Sequence, residues 1–273
     1  MKKLISLTLS VAFALLAFSQ GAFAGILYGL TFTNHQLIQI NQTTAASILV
    51  GTVAGALGSE LASFGNNLYA FDQTDPDIFR LINPATAGTL SSATAGIDVV
   101  GEGGMTFRSD GVAFLTNNAG TSGTLFSCGN VNVNNSCSAV GSLQISLDGL
   151  AFGTGGVLFG LSQSPIGTSQ YSLYTVNPGT GAETLIGPSG IAGVNNLAGL
   201  AFDTTSNLLY AAIGSSLFTI NTGTGAATLV GDTGFLNYAG LAFVQAQAPE
   251  PATLALLGLG LAGLGFSRRA KSN

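Results

Sequence analysis

Gly199-Leu200-Ala201-Phe202 and Gly240-Leu241-Ala242-Phe243 are the same four residues written twice. Three further stretches echo them: Glu60-Leu61-Ala62-Ser63-Phe64, Gly104-Met105-Thr106-Phe107 and Gly149-Leu150-Ala151-Phe152. Their second residues, 61, 105, 150, 200 and 241, are separated by 44, 45, 50 and 41 positions. A chain that restates a short apolar strand at such intervals is building an array of equal units, and periods of this size belong to propeller blades or similar arrays. Each interval also repeats inside. A turn (Asn66-Asn67, Asp110-Gly111, Gly155-Gly156, Ser206-Asn207) leads to a second strand: Leu68-Tyr69-Ala70, Val112-Ala113-Phe114, Val157-Leu158-Phe159 and Leu209-Tyr210-Ala211. A third strand ends on asparagine in Leu81-Ile82-Asn83, Thr175-Val176-Asn177 and Thr219-Ile220-Asn221. A fourth reads Ala182-Glu183-Thr184-Leu185-Ile186-Gly187 or Ala226-Ala227-Thr228-Leu229-Val230-Gly231. Four short strands with turn signals between them make one antiparallel sheet.

The two ends of the array complete each other. Ile26-Leu27-Tyr28-Gly29, Leu37-Ile38-Gln39-Ile40-Asn41 and Ala46-Ser47-Ile48-Leu49-Val50-Gly51 match strands two, three and four, with no first strand before them. Gly240 to Phe243 is a first strand with nothing after it. Asn41 and Asn221, Gly51 and Gly231, and Leu61 and Leu241 are each 180 positions apart, so both ends share one register. The expectation is an all-β, five-bladed propeller over residues 25–248. Its blades start near 61, 105, 150 and 200, and residues 240–244 complete the blade of 26–53. Closure in this way hides sheet edges. An open solenoid or a β-sandwich is disfavoured by the missing strand at one end and the spare at the other. Most of the 39 glycines fall at turns and strand starts, where tight hairpins and a crowded axis call for them. Leu and Phe of each first strand are expected to pack between blades.

Beyond this body lie two topogenic segments. Lys2 and Lys3 precede an apolar stretch from Leu4 to Phe18, and Ala22-Phe23-Ala24 supplies small residues for a peptidase. Residues 1–24 therefore read as a signal peptide cut between Ala24 and Gly25. At the other end, Pro249-Glu250-Pro251 breaks any regular structure. The apolar run Ala252 to Phe266 follows, and then Arg268, Arg269 and Lys271. Fifteen residues fall short of the ~20 that span a bilayer as a helix, although a locally thinned bilayer would accommodate them. The basic cluster would hold the C-terminus in the cytoplasm. Gly258, Gly260, Gly263 and Gly265 argue against a core helix, leaving a plain membrane anchor as the competing reading. The order of these pieces over residues 249–273 resembles the PEP-CTERM sorting signal of Gram-negative bacteria. That resemblance implies export by way of signal peptidase, a transient stay in the inner membrane, and cleavage near Pro249-Glu250-Pro251 by an exosortase. It also implies delivery to the cell surface or the exopolysaccharide matrix.

Within the body, Arg80 and Arg108 are the only cations and there is no lysine, against eleven acids, a net charge of −9. Such a surface excludes nucleic acid and anionic lipid as partners, because both need basic residues. It also leaves no phosphate-loop lysine.

Few groups could carry chemistry. Cys128 and Cys137, with eight residues between them, fall across a strand-three to strand-four hairpin. In an oxidising compartment they are expected to form a disulfide; a redox pair would want C-x-x-C, and zinc would want more ligands nearby. His35, the sole histidine, lies in a loop and is read as solvated, though its chemistry would allow acid–base work. Asp72, Asp75 and Asp77 place alternating oxygens in one turn, a weak Ca²⁺ candidate lacking the glycine and glutamate of a full calcium loop. Asp98 and Glu102 are weaker still. The expected function is a non-enzymatic surface or matrix protein that binds exopolysaccharide or a surface protein. Polar loops (Thr116-Asn117-Asn118, Asn130 to Asn135, Gln163-Ser164) and aromatics such as Tyr171 would make the contacts. The alternative is a polysaccharide hydrolase or lyase, which would need two carboxylates flanking a bond. Fold does not choose between them.

Overall fold

The computed structural model describes residues 25–55, 60–101, 103–117, 122–163, 170–192 and 197–244. The signal peptide, the C-terminal apolar segment, Glu102, Asn118 and Ser164 lie outside the described residues.

Five four-stranded antiparallel sheets follow one another. Blade 2 holds β4 (Glu60–Phe64), β5 (Asn67–Asp72), β6 (Ile78–Ile82) and β7 (Thr89–Thr94). Blade 3 holds β8 (Met105–Phe107), β9 (Ala113–Thr116), β10 (Gly123–Cys128) and β11 (Cys137–Leu143). Blade 4 holds β12 (Gly149–Phe152), β13 (Leu158–Ser162), β14 (Gln170–Val176) and β15 (Glu183–Ala192). Blade 5 holds β16 (Ala198–Asp203), β17 (Leu208–Ile213), β18 (Ser216–Ile220) and β19 (Ala227–Asp232). Blade 1 is composite. The last strand, β20 (Tyr238–Val244), pairs antiparallel with β1 (Ile26–Thr31), and β2 (Gln36–Ile40) and β3 (Ser47–Thr52) complete the sheet in the order β20-β1-β2-β3. Ile26 stands opposite Val244 and Leu27 opposite Phe243. The chain is a five-bladed β-propeller closed by strands from its two ends.

Burial falls along the strands as the repeat demands. Five apolar clusters form, one at each seam between neighbouring blades. In the second strand of each blade an aromatic occupies the same register: Tyr28, Tyr69, Phe114, Phe159 and Tyr210 face Ala242, Ala62, Thr106, Ala151 and Ala201. Phe107 meets Tyr69 at 5.1 Å, Phe152 meets Phe114 at 5.3 Å and Phe202 meets Phe159 at 6.4 Å between ring centroids. Each such pair adds about 0.5–1.5 kcal/mol beyond its buried area.

Repeated asparagines explain the outer hairpins. Asn41, Asn83, Asn177 and Asn221 each accept a backbone N–H two residues on through Oδ1, at 2.8–2.9 Å. Their carbonyls accept from residues 45, 87, 181 and 225, which have left-handed backbone. An Asx turn of this kind is what the residue type favours. The turn then presses on the preceding blade: the Thr86 carbonyl packs on Gly51, Thr180 on Gly141, Thr224 on Gly187 and Thr44 on Gly231, with no room for a Cβ. Each of these glycines lies at or beside a bulge in the fourth strand.

The seam between blades 2 and 3 is built differently. Cys128 and Cys137 face each other across β10 and β11 and form a disulfide, and the loop they close clamps blade 2. Asn134 Oδ1 accepts from Thr94 N at 3.0 Å, Asn135 N donates to Thr94 O at 2.8 Å, and Cys137 N donates to Ala95 O at 3.3 Å.

Candidate functional site: a cup on the propeller axis

The innermost strands β4, β8, β12, β16 and β20 ring the axis. At their starting ends a glycine of one blade lies against the backbone of the next: Gly104 on blade 4, Gly149 on blade 5, Gly199 on blade 1, Gly240 on blade 2. A Cβ on Gly199 would stand 2.7 Å from Gly240 C and Leu241 N. With Leu61, Met105, Leu150, Leu200 and Leu241 these glycines seal the axis, leaving no volume for a water.

Toward the other end the same strands open into a cup of about 260 Å³. Met105, Leu200 and Leu241 line its depth, Ala62, Thr106, Ala151, Ala201 and Ala242 its wall, and Phe107, Phe152, Phe202 and Phe243 its upper ring. The register makes the fifth member of that ring Ser63, since Ala62 and not Ser63 faces the second-strand aromatic. Ser63 Oγ donates to Phe243 O at 2.8 Å, tying β4 to β20. Phe64, displaced by one position, stacks on Phe107 at 5.7 Å and is partly exposed. Ser109, Thr204 and Arg108 complete the mouth. Thr106 Oγ1 accepts the Phe152 N–H at 3.2 Å. Among the described residues Arg108 is the only charged side chain of the lining. It forms an ion pair with Asp110 at 2.8 Å and lies 5.3 Å from the centre of the Phe114 ring. The guanidinium holds the Asp110 carboxyl below the usual carboxylate range.

Strand β4 thus departs from the repeat twice. At its start Glu60 takes the place held by glycine in the other four blades. It is buried and accepts from Gln73 Nε2 at 3.0 Å and, across the 2–3 seam, from Gly103 N at 3.2 Å. Asp148, just ahead of β12, is buried as well and accepts from Gln163 N at 3.1 Å. Aligning the five inner strands residue by residue would have marked both Glu60 and Ser63; the apolar match at positions 61 and 62 masks them.

The other acids serve the fold. Asp72 is fully buried and binds Arg80 through Nη2 at 2.8 Å and Nε at 3.0 Å. Asp77 Oδ2 accepts Val99 N at 2.6 Å. Burial, and then the charges of Asp98, Asp72 and Asp75, push its carboxyl up to about 6. Asp75, Asp77 and Asp98 line one outer cavity with Thr94 and Asn135. Among the described residues no three acids, histidines or cysteines come together as a metal would require. His35 sits in left-handed backbone with its carbonyl accepting Val53 N, and burial lowers its imidazole pKa. Tyr171 is a correction: it is fully buried with its hydroxyl donated to Leu197 O at 3.1 Å. A phenol spent on the core offers no face to a sugar.

One comparison bears on where the chain is sent. The PEP-CTERM protein-sorting motif matches residues 247–269. The chain carries a PEP-CTERM sorting signal. The motif implies processing by an exosortase and sorting of an exported protein to the cell surface. Among curated proteins none matches the chain. Solved structures of similar shape include the PQQ-bound aldose sugar dehydrogenase of Streptomyces coelicolor, at 14% identity over 80% of this chain and 81% of that one, with a TM-score of 0.48. An engineered GH43 glycoside hydrolase with endo-xylanase and exo-arabinofuranosidase activity aligns at 10% identity over 63% of this chain and 40% of its own, TM-score 0.46. A Lactobacillus plantarum protein aligns at 15% over 80% and 82%, TM-score 0.40.

Proposed function

We propose that this PEP-CTERM protein is a non-catalytic binding module of the cell surface or extracellular matrix, holding exopolysaccharide or a surface protein in the axial cup. The observation that carries the reading is the break in the phenylalanine ring at Ser63, which leaves a cup with a closed floor and a polar mouth. Among the described residues the only charged side chain of its lining is paired with Asp110, so the described lining suits recognition better than proton transfer. The lysine-free, acidic body suits a hydrated matrix. The test is retention in the cell-surface fraction. Ser63→Phe restores the residue used by the other four blades, and it should release the protein to the medium while the thermal transition persists. Unchanged retention would refute the reading.

A second reading, a polysaccharide hydrolase or lyase, draws on Glu60 and Asp148, two buried carboxylates at the starting ends of inner strands. Release of reducing ends from matrix polysaccharide by the wild type, lost in both Glu60→Gln and Asp148→Asn, would favour it.

A further inference from the structure

We infer that the protein self-associates through the outer edge of its composite blade, β3 of one copy pairing antiparallel with β3 of a second. Charge selects the blade. Residues 25–59 and 233–248, which supply blade 1, contain no Asp, Glu, Lys or Arg, whereas the eleven acids of the body all fall in or between the other four blades. Two bodies of net charge −9 repel, and blade 1 is the face they can bring together without setting acid against acid. The acids next to it in sequence are engaged. Glu60 is buried, and Asp232 accepts from Ser215 Oγ at 3.1 Å and from Gly234 N at 2.7 Å.

The edge itself points the same way. Every blade ends in an edge strand, and an unprotected apolar edge is a template for further pairing. Four edges carry protection. In β7, Asn134 and Asn135 hold both backbone groups of Thr94. In β11, Cys137 N donates to Ala95 O, and Ala139 stands where blades 1, 4 and 5 have leucine. β15 carries Glu183 and Pro188, and β19 ends on the exposed Asp232. β3 has neither charge nor proline, and it presents Ile48, 63% exposed, and Leu49, 50% exposed. Asn41 N donates to Ala46 O, so Ala46 and Ile48 turn their peptide groups toward β2, and Ser47 and Leu49 turn theirs outward. Past Leu49 the bulge and the Thr86 carbonyl on Gly51 end the free edge. A second β3 therefore pairs about a two-fold axis at Ile48. Ser47 of one copy stands opposite Leu49 of the other, each such pair exchanging both N–H···O bonds, and Ile48 meets Ile48. So short a contact belongs among the weak, transient interfaces.

The experiment is sedimentation equilibrium of the exported protein over rising concentration, at about 0.01 M and about 0.15 M salt. A monomer–dimer equilibrium should appear and tighten with salt, because shortening the Debye length from ~30 Å to ~8 Å screens the like charges. Ile48→Lys, at an exposed position that spares the core, should weaken the dimer at least about tenfold. Thr228→Lys, at the matching position of β19, should leave it unchanged. Oxidation should cross-link Ile48→Cys into a covalent dimer, since residues facing each other across a two-fold lie within disulfide reach, and Thr228→Cys should stay monomeric on a denaturing gel. A monomer at every concentration up to about 1 mM overturns the inference. So does a dimer indifferent to Ile48→Lys, or a monomeric protein that instead binds phosphatidylcholine vesicles through Ile48.

Discussion

Gly199→Ala probes the crowding at the axis. The substitution places one methyl group 2.7 Å from Gly240 C and Leu241 N, where ordinary contact begins at 3.4 Å. The strands β16 and β20 must therefore part by about 0.7 Å, the difference between those two distances, and the atoms they part from are backbone, which cannot rotate away. In a closed ring that displacement is shared by the other four seams, each filled with interlocked side chains. Overpacking of this kind costs about 1–3 kcal/mol. Loss of glycine from the unfolded chain returns about 0.4–1 kcal/mol, so the net destabilisation lies between about 0 and 2.6 kcal/mol, with about 1–2 kcal/mol as the central expectation. For a domain of this size that lowers Tm by about 2–8 °C. Gly129→Ala is the control: nothing lies within 4 Å of its Cβ and its φ is not left-handed, so only the unfolded-state gain remains and Tm should rise by about 1–4 °C. Circular dichroism melts of the two variants beside the wild type decide the matter. A Gly199→Ala protein as stable as the wild type would refute the argument that inner-strand glycines are set by blade-to-blade contact.

Removing the disulfide with Cys128→Ser and Cys137→Ser releases a loop spanning nine positions. Loop-closure entropy puts the loss at about 2.6 kcal/mol, read as a lower urea midpoint with an unchanged slope. Hydrogen exchange should quicken at Thr94 and Asn135 while blades 4 and 5 keep their protection. Asp77 makes stability depend on pH. Its folded pKa of about 6 lies above its ordinary 3.8, so the native state holds the proton more tightly than the unfolded chain. Stability from this group is full below about pH 3.8 and is lost as pH rises toward 6. Asp77→Asn, which can still accept from Val99 N, should flatten the denaturation midpoint between those values; a slope identical to the wild type would count against the burial of this carboxyl.

The repeat made the architecture legible because a propeller writes each blade in the same hand. The offsets of 180 between Asn41 and Asn221 and between Leu61 and Leu241 carried even the composite blade, since closure demands one register at both ends. The asparagines ending third strands were visible as a pattern, and the Asx turn supplies their cause. The sorting signal was legible for another reason: a sorting motif is read by its order of residues alone. The cup was hidden. It depends on which of two adjacent residues, Ser63 or Phe64, stands in the ring, and only the pairing of Ala62 with Tyr69 fixes that. Tyr171 failed in the opposite way, because a tyrosine in a β-strand has the same spelling whether its ring faces solvent or core.

The pairing of β1 with β20 also dictates an order of events in the life of the chain. Gly25 is buried against Phe243, and its carbonyl receives Gln42 Nε2. The ring cannot shut until residue 244 has emerged, because its final strand is the last to be made. Closure of the ring is therefore the last step in building the body, and it gathers Ile26 and Val244 into one blade.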